Sequence, residues 1–143
     1  FCGVLPQREL FTNAAKEMLK IGDKERAVEL LDMCQECVPE KNFPLDMTYL
    51  GFKNEYIVVD MIETYYIAGA PEKAEDMIRR FIPQLMKSAL FFYDYFDYAR
   101  SEFERCYNCI QFVADLAQEY GDENLAEQIR TDFDKAFGLD EEE

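Results

Sequence analysis

The chain has 143 residues, 49% of them apolar, with 12 Phe, 9 Tyr and no Trp, a globular composition that builds a core and argues against disorder. Thirty Asp and Glu against 15 Lys and Arg leave a net charge of −15, a field that repels DNA, RNA and anionic lipid. Histidine is absent, which removes Ser–His–Asp and Cys–His catalysis, His-ligated metal sites and histidine pH switches together.

The periodicity is helical throughout, and no segment alternates apolar and polar residues as a half-buried strand would. Leu10, Ala14, Ala15, Met18 and Leu19 form a first apolar stripe, and Ala27, Leu30, Leu31, Cys34 and Val38 form a second. Between them, Gly22 suits the left-handed residue that closes a helix and Asp23 suits the cap of the next, so two antiparallel helices are predicted. Pro39 ends the second helix, and Asn42-Phe43-Pro44 reads as a linker. Asp46 is expected to cap a long helix to about Ala68, carrying Leu50, Tyr56, Ile57, Val59, Met61, Ile62 and Tyr65. Gly69-Ala70-Pro71 repeats the stop and restart. A helix with Ala74, Met77, Ile78, Phe81 and Ile82 follows, and Pro83 is expected to kink or interrupt it. Next comes an aromatic stretch, Phe91 to Tyr98. Then a long helix carries Phe103, Tyr107, Ile110, Val113, Ala114 and Ala117. Gly121-Asp122 turns the chain into a last helix with Leu125, Ala126, Ile129, Phe133 and Phe137.

The three turns share one pattern, a glycine with alanine five residues later: Gly22 with Ala27, Gly69 with Ala74, Gly121 with Ala126. A small residue there lets the second helix approach the first closely. One such hairpin cannot bury its own apolar face, so neighbours must stack on it. The predicted fold is all-α: stacked antiparallel hairpins over about 7–39, 45–90 and 98–138, in a single repeat domain spanning 1–143. A chain that opens on Phe1 without a leader pattern reads as a piece of a larger protein, and Asp140–Glu143 reads as a frayed acidic end.

The first unit, Phe11 to Pro39, resembles a tetratricopeptide repeat. Ala15 falls on the small residue of its first helix, Ala27 on that of its second, and Pro39 on the closing proline. Units two and three keep Gly and Ala but lengthen the repeat, and Ile62 replaces the small residue in unit two. A second resemblance is carried by Leu30-Leu31-Asp32-Met33-Cys34, Phe43-Pro44-Leu45-Asp46, Glu63-Thr64-Tyr65-Tyr66-Ile67-Ala68-Gly69, Lys73-Ala74 and Phe91-Phe92-Tyr93. These runs are similar to the C-terminal region of large Bacteroidetes integral-membrane proteins related to protein O-mannosyltransferases. That resemblance implies a soluble helical-repeat domain tethered to the inner membrane, with the periplasmic side favoured and the cytoplasmic side open. It places the transferase carboxylates in the membrane part, so this piece itself is expected to carry no catalytic residue.

Cys34-Gln-Glu-Cys37 and Cys106-Tyr-Asn-Cys109 are two C-x-x-C pairs, a spacing that can hold zinc. Both lie in helical patterns without glycine, so buried thiols are the expected reading, ahead of a disulfide or zinc; no metal and no cofactor are expected. Phe92, Tyr95, Phe96 and Phe103 recur at helical spacing and read as packing rather than as a sugar platform. Acid pairs such as Asp94 and Asp97 read as surface charge in so acidic a chain.

What remains is binding. The tetratricopeptide register places groove positions at Tyr56, Val59, Glu63 and Tyr66 in unit two, and at Asn108, Gln111, Asp115 and Gln118 in unit three. The expected function is a non-catalytic module that contacts a protein, a peptide or the membrane part of its own chain, chiefly through Tyr56, Glu63, Tyr66, Asn108, Gln111 and Asp115. The alternatives are a docking or dimerisation module and, further off, a carbohydrate-active enzyme domain.

Overall fold

The computed structural model describes residues 5–46 and 54–139. Over these residues the chain is six α-helices: α1 (Leu5–Lys20), α2 (Lys24–Cys37), α3 (Asn54–Ile67), α4 (Pro71–Asp94), α5 (Phe96–Glu119) and α6 (Glu123–Ala136). No strand occurs among the described residues. Cys2, Leu50, the first part of the helix expected from Asp46, and the acidic end Asp140–Glu143 lie outside them.

The three turns are built alike. Gly22, Gly69 and Gly121 have φ of 82°, 81° and 102°, a region that L side chains avoid. The amide after each glycine reaches back across the turn: Asp23 N–H donates to Met18 O at 2.9 Å, Ala70 to Tyr65 O at 3.0 Å and Asp122 to Ala117 O at 2.8 Å. This is the double closure that satisfies the last carbonyls of a helix ended by left-handed glycine. The next helix then starts under a cap. Asp23 accepts from Arg26 N–H at 3.0 Å, and Asp122 accepts from Leu125 N–H at 2.9 Å. The middle turn has no capping side chain and starts α4 with Pro71, whose missing donor costs nothing in a first turn. Ala27, Ala74 and Ala126 are all buried, as the expected close approach requires.

The hairpins α1–α2, α3–α4 and α5–α6 stack in order, with α3 lying against α1 and α5 against α3. These first helices run parallel. Arg8 meets Asn54 near the starts of α1 and α3, and Lys16 meets Asp60 further along them. Likewise Glu55 meets Arg105, and Tyr66 meets Tyr120, from one end of α3 to the other. The core runs the length of the stack through Leu31, Ile62, Phe81, Leu85, Ile110 and Val113.

Two expectations are corrected. The expected interruption at Pro83 does not occur: α4 continues as one helix through this exposed proline. The carbonyl that loses its partner belongs to Arg79, also an exposed residue, where water can satisfy it. The break falls instead at Tyr95, a single residue between α4 and α5, and the φ of −125° at Ala99 bends the first turn of α5. This break resets the helical phase that Phe92 begins. Phe92 is buried and Phe103 half-buried, but Tyr95 and Phe96 are exposed rather than packed in the core.

Candidate functional site

Counting back from the turn glycines puts the three first helices in one register. Fourteen residues before the glycine stand Arg8, Glu55 and Tyr107; ten before, Thr12, Val59 and Gln111; six before, Lys16, Glu63 and Asp115; three before, Leu19, Tyr66 and Gln118. In the first two units the next unit buries Arg8, Thr12, Glu55, Val59 and Tyr66 of this face and leaves Lys16, Leu19 and Glu63 half-buried. Arg8 is 2% exposed and Glu55 is 0% exposed.

Arg8 shows how the first interface is made. Its guanidinium donates to Pro44 O at 3.0 Å, to Asn54 Oδ1 at 3.3 Å and to the carbonyl of Phe43. Asn54 in turn donates to Leu45 O at 2.8 Å. Burial lowers the Arg8 pKa from its usual value. The charge is held by carbonyl acceptors, with Glu40 adding attraction at longer range. The segment from Pro39 to Asp46 is fastened on its other side by α4. Gln84 Nε2 donates to Glu40 at 2.6 Å, Gln84 Oε1 accepts from Asp46 N–H at 3.1 Å, and Ser88 donates to the buried Asp46 carboxylate. Above it, Tyr65 Oη donates to Asp32 at 2.7 Å, accepts from Gln35 at 2.6 Å, and Asp32 pairs with Lys73. The interface between units one and two is therefore rich in hydrogen bonds.

The second interface is less polar at its far end. Glu55 lies 3.8 Å from Arg105 across it. Tyr66 stacks on Tyr120, with ring centroids 4.8 Å apart and planes 6° from parallel. Burial pushes the Tyr66 hydroxyl pKa up to about 12, with Glu75 and Asp122 adding repulsion. That hydroxyl is buried and has no hydrogen-bond partner among the described residues. Tyr56 and Glu63 are half-buried on the same flank of α3, Tyr56 near Cys109 and Glu63 near Tyr120. Thus Tyr66 packs on the third hairpin, and Tyr56 and Glu63 lie half-buried on the same flank of α3, which α5 covers as α3 covers α1.

The other three stay open. Asn108 is exposed, Gln111 half-buried, and Asp115 exposed with a 2.9 Å ion pair to Arg130 of α6. Gln111 and Asp115 hold the register positions of Thr12 and Val59 and of Lys16 and Glu63, and Asn108 lies beside them at the place of Glu9 and Tyr56. Tyr107, in the place of Arg8 and Glu55, is 40% exposed. Beside it the end of the stack is aromatic. Tyr93 sits edge-on to Phe137 at 5.3 Å, Phe103 lies 5.8 Å from Phe137, and Tyr107 lies 5.4 Å from Phe133. With Leu139 these rings line an open bowl of about 280 Å³. The Phe and Tyr spacing was legible as helical packing, but that the rings edge an uncovered face was not.

The cysteines form no such constellation. Cys34, Cys106 and Cys109 are buried, on α2 and α5, and Cys37 is exposed. Burial pushes the Cys34 thiol up to about 11 and the Cys109 thiol higher still, so both are protonated at neutral pH and poor nucleophiles. Among the described residues no three Cys, Asp or Glu side chains are placed to share a metal ion, and no helix is long and apolar enough to cross a membrane. No protein-family model, curated protein or solved structure matches the chain.

Proposed function

We propose that this chain is a non-catalytic helical-repeat module that works by contact with a protein, and that the contact surface is the outward face of the third hairpin. One observation carries the reading. The register positions that units one and two bury (Arg8, Thr12, Glu55, Val59, Tyr66) or half-bury (Lys16, Leu19, Glu63) are exposed in unit three at Tyr107, Asp115 and Gln118 and half-buried at Gln111, beside an aromatic bowl. A face of this kind costs solvation of exposed rings unless something covers it. These positions offer one carboxylate, two amides and one phenol, a set suited to contact that lacks a paired acid and base. Asn108 belongs to this surface, whereas Tyr56, Glu63 and Tyr66 serve the joint beneath it.

The resemblance to the C-terminal region of mannosyltransferase-related membrane proteins adds a setting: a domain tethered at the inner membrane, with the periplasmic side favoured. In that setting the partner is an acceptor polypeptide or the extramembrane loops of the parent chain itself. The test is site-specific photo-crosslinking in cells that make the full-length protein, with the reactive group at Gln111 and, as control, at Glu25 on α2. Adducts with a polypeptide at Gln111 and none at Glu25 are expected. Equal yields at both positions, or none at Gln111, would replace the contact reading with a purely structural role.

A further inference from the structure

The two covered faces of the stack say what the third is shaped for. In each, the occupant is a helix laid parallel to the one it meets, since α3 follows α1 and α5 follows α3 in direction. Each joint also carries an ion pair across it, Lys16 with Asp60 at 2.9 Å and Glu55 with Arg105 at 3.8 Å. On the open face, the position of Lys16 is held by Asp115. Its carboxylate takes Arg130 from one side and remains 68% exposed. The position of Arg8 and Glu55 is held by Tyr107, at the rim of the apolar bowl. The continuity of the register supplies the geometry, and the charge of −15 supplies the sign.

We infer that the open face receives one amphipathic helix of a partner protein, parallel to α5. Its apolar side chain covers the bowl edged by Tyr93, Phe103, Tyr107 and Phe137, and a Lys or Arg two turns further on pairs with Asp115. The inference rests on the contact reading and gives it a partner chemistry. Tyr107 and Asp115 are eight residues apart on α5, a rise of about 12 Å. The partner's apolar anchor therefore precedes its basic residue by roughly the same distance. A second copy of this chain is a poor occupant, because two copies of net charge −15 repel one another.

The experiment uses three 18-residue alanine-based helical peptides and measures their binding to the chain by fluorescence anisotropy. The first has a Phe and a Leu on one stripe with Lys two turns C-terminal to them. The second reverses that order, and the third has Glu in place of Lys. The first is expected to bind at least tenfold more tightly than the other two. D115K and Tyr107→Ser should each weaken it by tenfold or more, while E25K, the same change of charge on α2, should change it less than twofold. D115K lies on the surface and guards against a folding defect in the Tyr107 variant.

Equal binding of all three peptides, or binding insensitive to D115K and Tyr107→Ser, overturns the inference. So does a dimer of the chain in sedimentation that Tyr107→Ser dissolves, since the occupant is then a second copy. If the peptides fail while Gln111 still crosslinks to another polypeptide in cells, the basic helix is wrong and the contact reading stands. If Gln111 crosslinks to nothing, the contact reading itself has failed.

Discussion

The second and third hairpins carry the same register in opposite circumstances. Tyr66 and Gln118 each stand three residues before a turn glycine, yet Tyr66 is buried against Tyr120 and Gln118 lies in solvent. A position in a stacked repeat has no fixed role; the presence of a next unit decides whether it is core or surface. The sharpest way to break this comparison is to truncate both. Tyr66→Ala removes a buried ring and a stacked pair and should lower stability by about 3 kcal/mol in urea titration. Gln118→Ala should stay within about 0.5 kcal/mol of the parent. Equal effects would mean that the joint between α3 and α5 is not packed as described.

Arg8 and Tyr107 make the same contrast at the other end of the helices. Arg8→Met leaves carbonyls of Phe43 and Pro44 and the Asn54 amide oxygen without their donor, and should cost about 2–3 kcal/mol. Tyr107→Ser should cost much less, because that residue is already 40% exposed. Thermal unfolding of both variants under one condition checks the order.

The small residues of the turns come next in size. Ala27→Leu or Ala74→Leu forces a larger side chain between helices whose contact is already closed, at about 1–3 kcal/mol each. Unchanged denaturation midpoints for both would remove the close-approach role of the alanine. Tyr66→Phe then sharpens the first comparison. The deleted hydroxyl is buried and has no partner among the described residues, so the variant should be neutral or up to about 1 kcal/mol more stable.

The smallest effect expected is a pH dependence at the joint of α4 and α6. Burial first, then the charge of Asp122 and a hydrogen bond to it, raise the Glu75 carboxyl above its ordinary range, with Arg79 opposing and Glu72 adding repulsion. A carboxyl raised on folding binds its proton more tightly in the native state. Its contribution is thus complete at pH below its unfolded value and lost as pH rises through the folded one. Glu75→Gln should raise the midpoint slightly at pH 7, and the difference should vanish toward pH 3. A difference that grows on acidification would reverse the sign and dismiss this account.

The fold class and the three turn positions could be read directly from the chain. Helix stripes, left-handed glycines, Asp caps and small residues after each turn are local signals, set by backbone geometry and short-range hydrogen bonds. The candidate surface was legible only as far as its register. Polar residues recurring at helical spacing point to a solvent-facing side of α5, where Asn108 and Asp115 are exposed and Gln111 half-buried. Tyr56, Glu63 and Tyr66 were found in the same register, but no local signal distinguishes an aromatic that meets a partner from one that meets the next repeat.

What the amino-acid order determined by itself was therefore the helices, their caps and the closeness of each hairpin. Each follows from residues within one or two turns of one another. Only the tertiary structure decided which faces are joints. The break at Tyr95 shifts the phase of the aromatic run, and the buried guanidinium of Arg8 draws in a linker 35 residues away. Among the described residues no helix lies over α5 as α5 lies over α3, and Tyr107 is exposed where Glu55 is buried. Burial depends on what lies opposite in space, and that is a property of the assembled units rather than of any segment.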